Sequence, residues 1–203
     1  MINGSPHRNG CTTAAFREMQ RVFEAEGVTY EVFSLQGKTV QGCIGCGSCG
    51  ATGRCRFNDA VNEALTLAAE SDAVVFGSPV HFASLSGTMT SFLDCLFLAE
   101  SGRLENKPAA CVVSARRAGT TAALDQLLKY PMYAGMPIAS GCYWGMVHGM
   151  KAEDTAQDLE GMQILRQLAR KLVWMVRCIE TAEAAGIPRP QREADRIHTS
   201  FIR

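Results

Sequence analysis

Residues 73–87 read A-V-V-F-G-S-P-V-H-F-A-S-L-S-G. The first five form an unbroken apolar run, the pattern of a short strand covered on both faces, as strands of a parallel sheet are. Gly77 closes the run, Ser78 and Pro79 mark a turn, and Ser86–Gly87 open a helical pattern over 86–100. A buried strand that passes through a polar turn into a helix is one step of a β–α alternation.

The rest of the chain repeats that step. Upstream, residues 12–26 place Ala15, Phe16, Met19, Val22 and Phe23 at helical spacing, with Gly27 as a stop. Residues 29–34 alternate like a strand, and Asn58–Asp59 are placed to cap a helix over 60–70. Downstream come a buried strand at 109–114, a helix at 120–129 and a short strand near 136–140. A long helix over 155–182 carries Leu159, Met162, Leu165, Leu168, Leu172 and Met175 on one stripe. Alternating strands and helices predict a doubly wound parallel sheet in one domain, residues 1–185. The tail, 186–203, carries Pro188, Pro190 and many charges, and is expected to fray or to lie on a partner subunit.

Bulk composition narrows the function. Twenty basic residues balance twenty acidic ones in 203, so no electrostatic footprint for nucleic acid stands out. No apolar run approaches the roughly 20 residues that span a bilayer. The opening MINGSPHRNG has no apolar h-region, so a cytoplasmic protein is expected.

Doubly wound sheets bind ligands beyond the carboxyl ends of their strands. Three loops are expected there. The first, N-G-S-P-H-R-N-G-C-T-T at 3–13, offers Ser5, Asn9, Thr12 and Thr13 ahead of a helix N-terminus, a cradle suited to a phosphate monoester. It is neither G-x-G-x-x-G nor a P-loop. The second, 77–87, presents Pro79, Val80, His81 and Phe82 to a flat ring. The third, S-A-R-R-A-G-T-T at 114–121, brings Ser114, Gly119 and the cations Arg116 and Arg117. Asp94 and Asp125 read as helix-surface or capping residues, and nothing demands a general acid or base.

Nine cysteines remain. Cys95, Cys111 and Cys178 sit in apolar runs and are expected to be small buried side chains. Four others form C-x2-C-x2-C-x5-C: Cys43, Cys46, Cys49 and Cys55. Zinc sites pair two C-x2-C knuckles across a longer span, which is absent here. Three cysteines at this spacing can wrap an iron–sulfur cluster, and Cys55, past Gly50 and Gly53, is placed to complete it. Redox-active thiols or disulfides are the alternative.

In order and spacing, N-G-S-P…N-G-x-T, G-S-P-V-H-F…S-G-x-M…F-L-D and S-x-R-x-A-G-T-T resemble the NADPH-dependent FMN reductase group of the flavodoxin-like superfold. With the cysteine motif, and with Y-W-G-M-V-H-G at 143–149, the chain is most similar to its iron–sulfur flavoproteins. The resemblance implies a five-stranded flavodoxin-like sheet with helices on both faces. It implies FMN with its phosphate at Ser5, Asn9, Thr12 and Thr13, helped by His7 and Arg8. The ring would lie against Ser78, Pro79, Val80, His81 and Phe82, with Ser114, Arg116, Arg117 and Gly119 opposite. It further implies a [4Fe–4S] cluster on the four cysteines, NAD(P)H as co-substrate, and a homodimer or homotetramer with the 143–149 loop and last helix as interface. A ferredoxin-like protein partner fits the same reading. Electrons would pass from NAD(P)H or that carrier through FMN to a quinone, a small molecule or the cluster. The rival readings are a flavodoxin-like carrier without its own substrate and a thiol or metal redox sensor. Such chains carry a longer apolar strand before N-G-S-P than Met1–Ile2, so residues upstream of Met1 are expected.

Overall fold

The computed structural model describes residues 1–57, 60–193, 197, 199 and 201. Asn58 and Asp59, read above as a helix cap, lie outside the described residues. The sheet is built from β1 (Ile2–Asn3), β2 (Phe33–Ser34), β3 (Val74–His81), β5 (Ala109–Ala115) and β6 (Met146–His148). They are all parallel in the order β2-β1-β3-β5-β6, while β4 (Ser84–Leu85) folds back antiparallel on β3. This is the flavodoxin-like strand order, with its switch point between β1 and β3.

Helices cover both faces. On one lie α1 (Cys11–Ala25) and α7 (Leu159–Ala184), which bury Phe16, Met19, Leu165 and Leu168 against Val75, Ala110, Val112 and Val147. On the other lie α3 (Ala60–Glu70), α4 (Gly87–Ala99) and α5 (Thr120–Tyr133), packed through Leu65, Phe92, Leu96 and Leu127 on Phe76, Cys111 and Val113. β5, buried at every residue, and β3, buried from Val74 to Ser78, are the continuous apolar runs of the sequence. Two short helices complete the chain, α2 (Ser48–Thr52) inside the cysteine loop and α6 (Ala152–Thr155).

Three expectations are corrected. The fifth strand is not at 136–140, where Ile138 makes a single bridge to Ala109. It is Met146–His148, inside the loop read as interface material. Gly145 permits it: its carbonyl accepts from Val113 N at 2.9 Å, and a Cβ there would collide with the Cys111 carbonyl. An edge strand has one neighbour, so three residues suffice and leave almost no periodic signal. Second, Cys178 is exposed, whereas Cys95 and Cys111 are buried. The fully buried residues of α7 end at Val173, Met175 still packs against the core in part, and the exposed Cys178 lies a turn further on. Leu159, at the other end of the expected stripe, is exposed as well. Third, the tail is tied down at its start: Asn106 Nδ2 donates to Pro190 O at 2.8 Å, and Arg192 pairs with Glu105 at 3.2 Å.

Candidate functional site

The three expected loops meet at the carboxyl ends of β1, β3 and β5, and each is bonded or packed to the others. The Ser86 hydroxyl, which caps α4 by accepting from Met89 N, donates to Gly4 O at 2.9 Å. Thr12 Oγ1 and Ser114 Oγ lie 2.8 Å apart, both buried. Gly119 has φ +94°, and a Cβ there would lie 2.8 Å from Ala83 Cα and 3.0 Å from Val80 Cγ1, so the third loop leans on the second.

The first loop leads into the N-terminus of α1. Gly10 caps α1 without a side chain, the first turn holds no acid, and the N–H groups of Cys11, Thr12 and Thr13 point out of the helix without helical acceptors. His7, Arg8 and Asn9 are exposed around it, and Asn9 Oδ1 accepts from Arg17 at 2.9 Å. Arg116 and Arg117 are exposed at the end of β5 and make no ion pair among the described residues. A bare helix N-terminus with exposed cations nearby and no acid in its first turn suits the phosphate monoester of FMN.

The hydroxyls behave differently from their reading in the sequence. Ser5 is buried, and its Oγ accepts from His7 N at 3.1 Å and reaches His7 O at 3.3 Å, so it shapes the loop from inside. Thr12 is taken by Ser114. Ser78 is fully buried, donating to Pro79 O at 2.9 Å and accepting from Ser86 N at 3.2 Å. Thr13 accepts from Asn3 Nδ2 at 3.0 Å, leaving its own proton to give. Of the hydroxyl and amide side chains read as ligand donors, Asn9 and Thr13 keep a proton to give, beside the backbone N–H groups and the exposed His7, Arg8, Arg116 and Arg117.

The β3–β4 hairpin turns on Phe82 and Ala83, both with positive φ, 51° and 58°. Neither residue relieves that conformation as glycine would, and strain of this kind gathers at functional sites. Phe82 stands wholly in solvent and His81 is exposed, while Pro79 and Val80 are half-buried beneath them.

A fourth loop joins the site, one that the sequence reading placed at a subunit interface. His148 ends β6 beside Ala115, its N donates to Asp158 Oδ2 at 2.8 Å, and its Nδ1 lies 3.5 Å from the same oxygen. Cys11 Sγ contacts Gly149 O at 3.3 Å, which draws this loop to the start of α1. A histidine directly after a short apolar pair, M-V-H, was the available signal. Asn3 is the other residue missed: its amide ties Ser5 N and Thr13 Oγ1 together.

Cys43, Cys46, Cys49 and Cys55 all line one cavity of about 250 Å³, and Cys95 of α4 lines it too. None is in a disulfide. Gly45 N donates to Cys43 Sγ at 3.4 Å. Gly45, Gly47 and Gly53 have φ of 62–70°, conformations that let so short a loop wrap a group. Among the described residues, no three Cys, His, Asp or Glu stand together as ready metal ligands. The four thiols thus surround the cavity in an open arrangement, without converging on one point. Asp94, read as a surface or capping residue, accepts from Tyr130 Oη at 2.6 Å and joins α4 to α5; Asp125 is exposed.

Residues 1–151 match the family model described as NADPH-dependent FMN reductase. The chain belongs to that family. It is 30% identical over 187 residues to an iron–sulfur flavoprotein of Methanocaldococcus jannaschii, covering 88% of this chain and 97% of that one. It is 27% identical over 197 residues to an iron–sulfur flavoprotein of Archaeoglobus fulgidus, covering 90% and 94%. In fold it is similar to RosB bound to 8-demethyl-8-formylriboflavin-5′-phosphate, with TM-score 0.73 and 16% identity over 100% of this chain and 92% of that one. It is likewise similar to an apo NADH:FMN oxidoreductase, with TM-score 0.61 and 17% identity over 87% of each chain. Among the described residues, no helix is long and apolar enough to cross a membrane.

Proposed function

We propose that this family member is an FMN-dependent oxidoreductase that takes electrons from NAD(P)H or a reduced ferredoxin-like carrier. It delivers them to a quinone, another small molecule or a [4Fe–4S] cluster on the cysteine loop. The observation that carries the reading is the α1 N-terminus, without a side-chain cap or an acid in its first turn and bonded through Thr12 to Ser114 at the end of β5. FMN, when bound, supplies hydride and one-electron chemistry. The chain's own part is to hold and shape it. The N–H groups of Cys11–Thr13 take the phosphate, Pro79 and Val80 provide an apolar floor, and Arg116 and Arg117 bring positive charge near the electron-rich reduced ring. Cys43, Cys46, Cys49 and Cys55, around one cavity, support the cluster.

A homo-oligomer is part of the proposal. Leu98, Met132, Tyr133 and Phe82 are exposed apolar side chains on α4, α5 and the hairpin, and a second copy would cover them.

Anaerobic mixing of the FMN-loaded protein with NADH or NADPH tests the reading. Loss of the oxidised flavin absorbance within the turnover time of an enzyme is expected with at least one nucleotide. Reduction by neither, but by a reduced ferredoxin, would replace the enzyme with an electron carrier. Failure to bind FMN would overturn both.

A further inference from the structure

The cysteine loop is held unequally. Cys43 and Cys46 are exposed, whereas Cys49 and Cys55 are half-buried and pack against the core beneath α4. Two side chains outside the motif account for the fixed half.

Asn62, in the first turn of α3, is buried, and its whole amide is committed to the chain around Cys55. Oδ1 accepts from Cys55 N at 2.9 Å, while Nδ2 donates to Cys55 O at 3.0 Å and to Phe57 O at 2.8 Å. A helix cap needs only an acceptor for the helix's own N–H groups. Asn62 instead directs both N–H groups at carbonyls ahead of the helix, which fixes Cys55 on both sides of its Cα. Arg103 follows α4 and fastens the preceding turn. Its guanidinium donates to Gly53 O and to Ala99 O, the latter at 2.7 Å, and its Nε donates to Glu100 O at 2.9 Å. Gly53, at φ +62°, is the left-handed residue that ends α2 and turns the chain toward Cys55.

We propose that Asn62 and Arg103 are the positioning residues of the cysteine site: they preset Cys55, and with it the inner wall of the cavity, so that Cys43 and Cys46 close last. The metal–sulfur part of this rests on the function proposed above, whereas the clamp on Cys55 does not. No other common side chain reproduces the Asn62 pattern. Aspartate keeps the acceptor for Cys55 N but sets a carboxylate oxygen against two carbonyls, and leucine leaves Cys55 N without a partner.

The test uses the full chain with FMN bound. In iron-free protein, residue-resolved labelling by iodoacetamide is followed by mass spectrometry, with exposed Cys142 as the internal reference. In Asn62→Asp, Asn62→Leu and Arg103→Met, Cys55 labelling is expected to rise about tenfold, as for the loss of one or more buried hydrogen bonds, with Cys43 unchanged. Arg103 is exposed, so Arg103→Met leaves the core intact should an Asn62 variant fail to fold. Unchanged Cys55 labelling overturns the proposal, as does Cys43 rising in step with Cys55. In a second arm the protein is loaded anaerobically with ferrous iron and sulfide and then challenged with a chelator. The variants are expected to lose iron several-fold faster than the parent chain, and equal rates overturn the positioning role. A parent chain that takes up no iron removes the metal–sulfur reading, and the labelling arm then decides the clamp by itself.

Discussion

Thr12 and Ser114 stand 102 residues apart in sequence and share one hydrogen bond of 2.8 Å, at 1% and 3% exposure. That bond ties the first turn of α1 to the end of β5, and with them the loops on either side. Thr12→Val keeps the shape and removes the hydroxyl, which leaves Ser114 Oγ buried without its partner. Such an orphaned group costs about 1–3 kcal/mol. Ser114→Ala makes the reciprocal orphan at a similar cost. The double variant removes both groups and is expected to recover most of one penalty, a coupling of about 1–2 kcal/mol. Urea unfolding of the flavin-free chain measures all four corners of the cycle. FMN titration by fluorescence quenching on the same proteins then separates the two roles open to Thr12. If it ties the loops, Ser114→Ala weakens FMN binding about as much as Thr12→Val does. If its hydroxyl held the phosphate, Thr12→Val alone would weaken binding, by about 1.5–3 kcal/mol for a lost charge-assisted bond. Additive costs in the flavin-free chain would refute the tie.

Two further outcomes follow from the same geometry. Gly119→Ala places a Cβ in a left-handed conformation 2.8 Å from Ala83 Cα, so about 2–4 kcal/mol of strain and crowding is expected; FMN titration and thermal melting should both register it, and a neutral result would refute the close packing of the two loops. At alkaline pH, burial holds the Cys111 thiol protonated well above its ordinary 9.0, and burial and the Asp94 hydrogen bond raise the Tyr130 phenol above 10.0. The unfolded chain releases both protons there while the folded chain keeps them, so stability falls as pH rises above about 9. Cys111→Ala should flatten the lower part of that fall, read from urea midpoints between neutral and alkaline pH; an unchanged slope would refute the assignment.

Much of the fold was legible because its signals are local. Val74–Phe76 and Ala109–Val113 had to be buried on both faces, and the stripes of α1 and α7 had to face a sheet, since no other arrangement removes them from water. From that alternation the strand-end location of the site follows, as do the three loops that build it. What the sequence could not contain is who bonds to whom. Ser5, Thr12 and Ser78 carry the same hydroxyls whether they face a ligand or a neighbouring loop, and only the packing of β1, β3 and β5 turned them inward. The same holds for Met146–His148, a strand because Gly145 lets it reach β5, and for Asn62, an ordinary helix residue until α3 sets it under Cys55. Periodicity records which face of an element is buried. The partner of each polar group is decided by contacts between segments far apart in the chain, and these exist only once the sheet has closed.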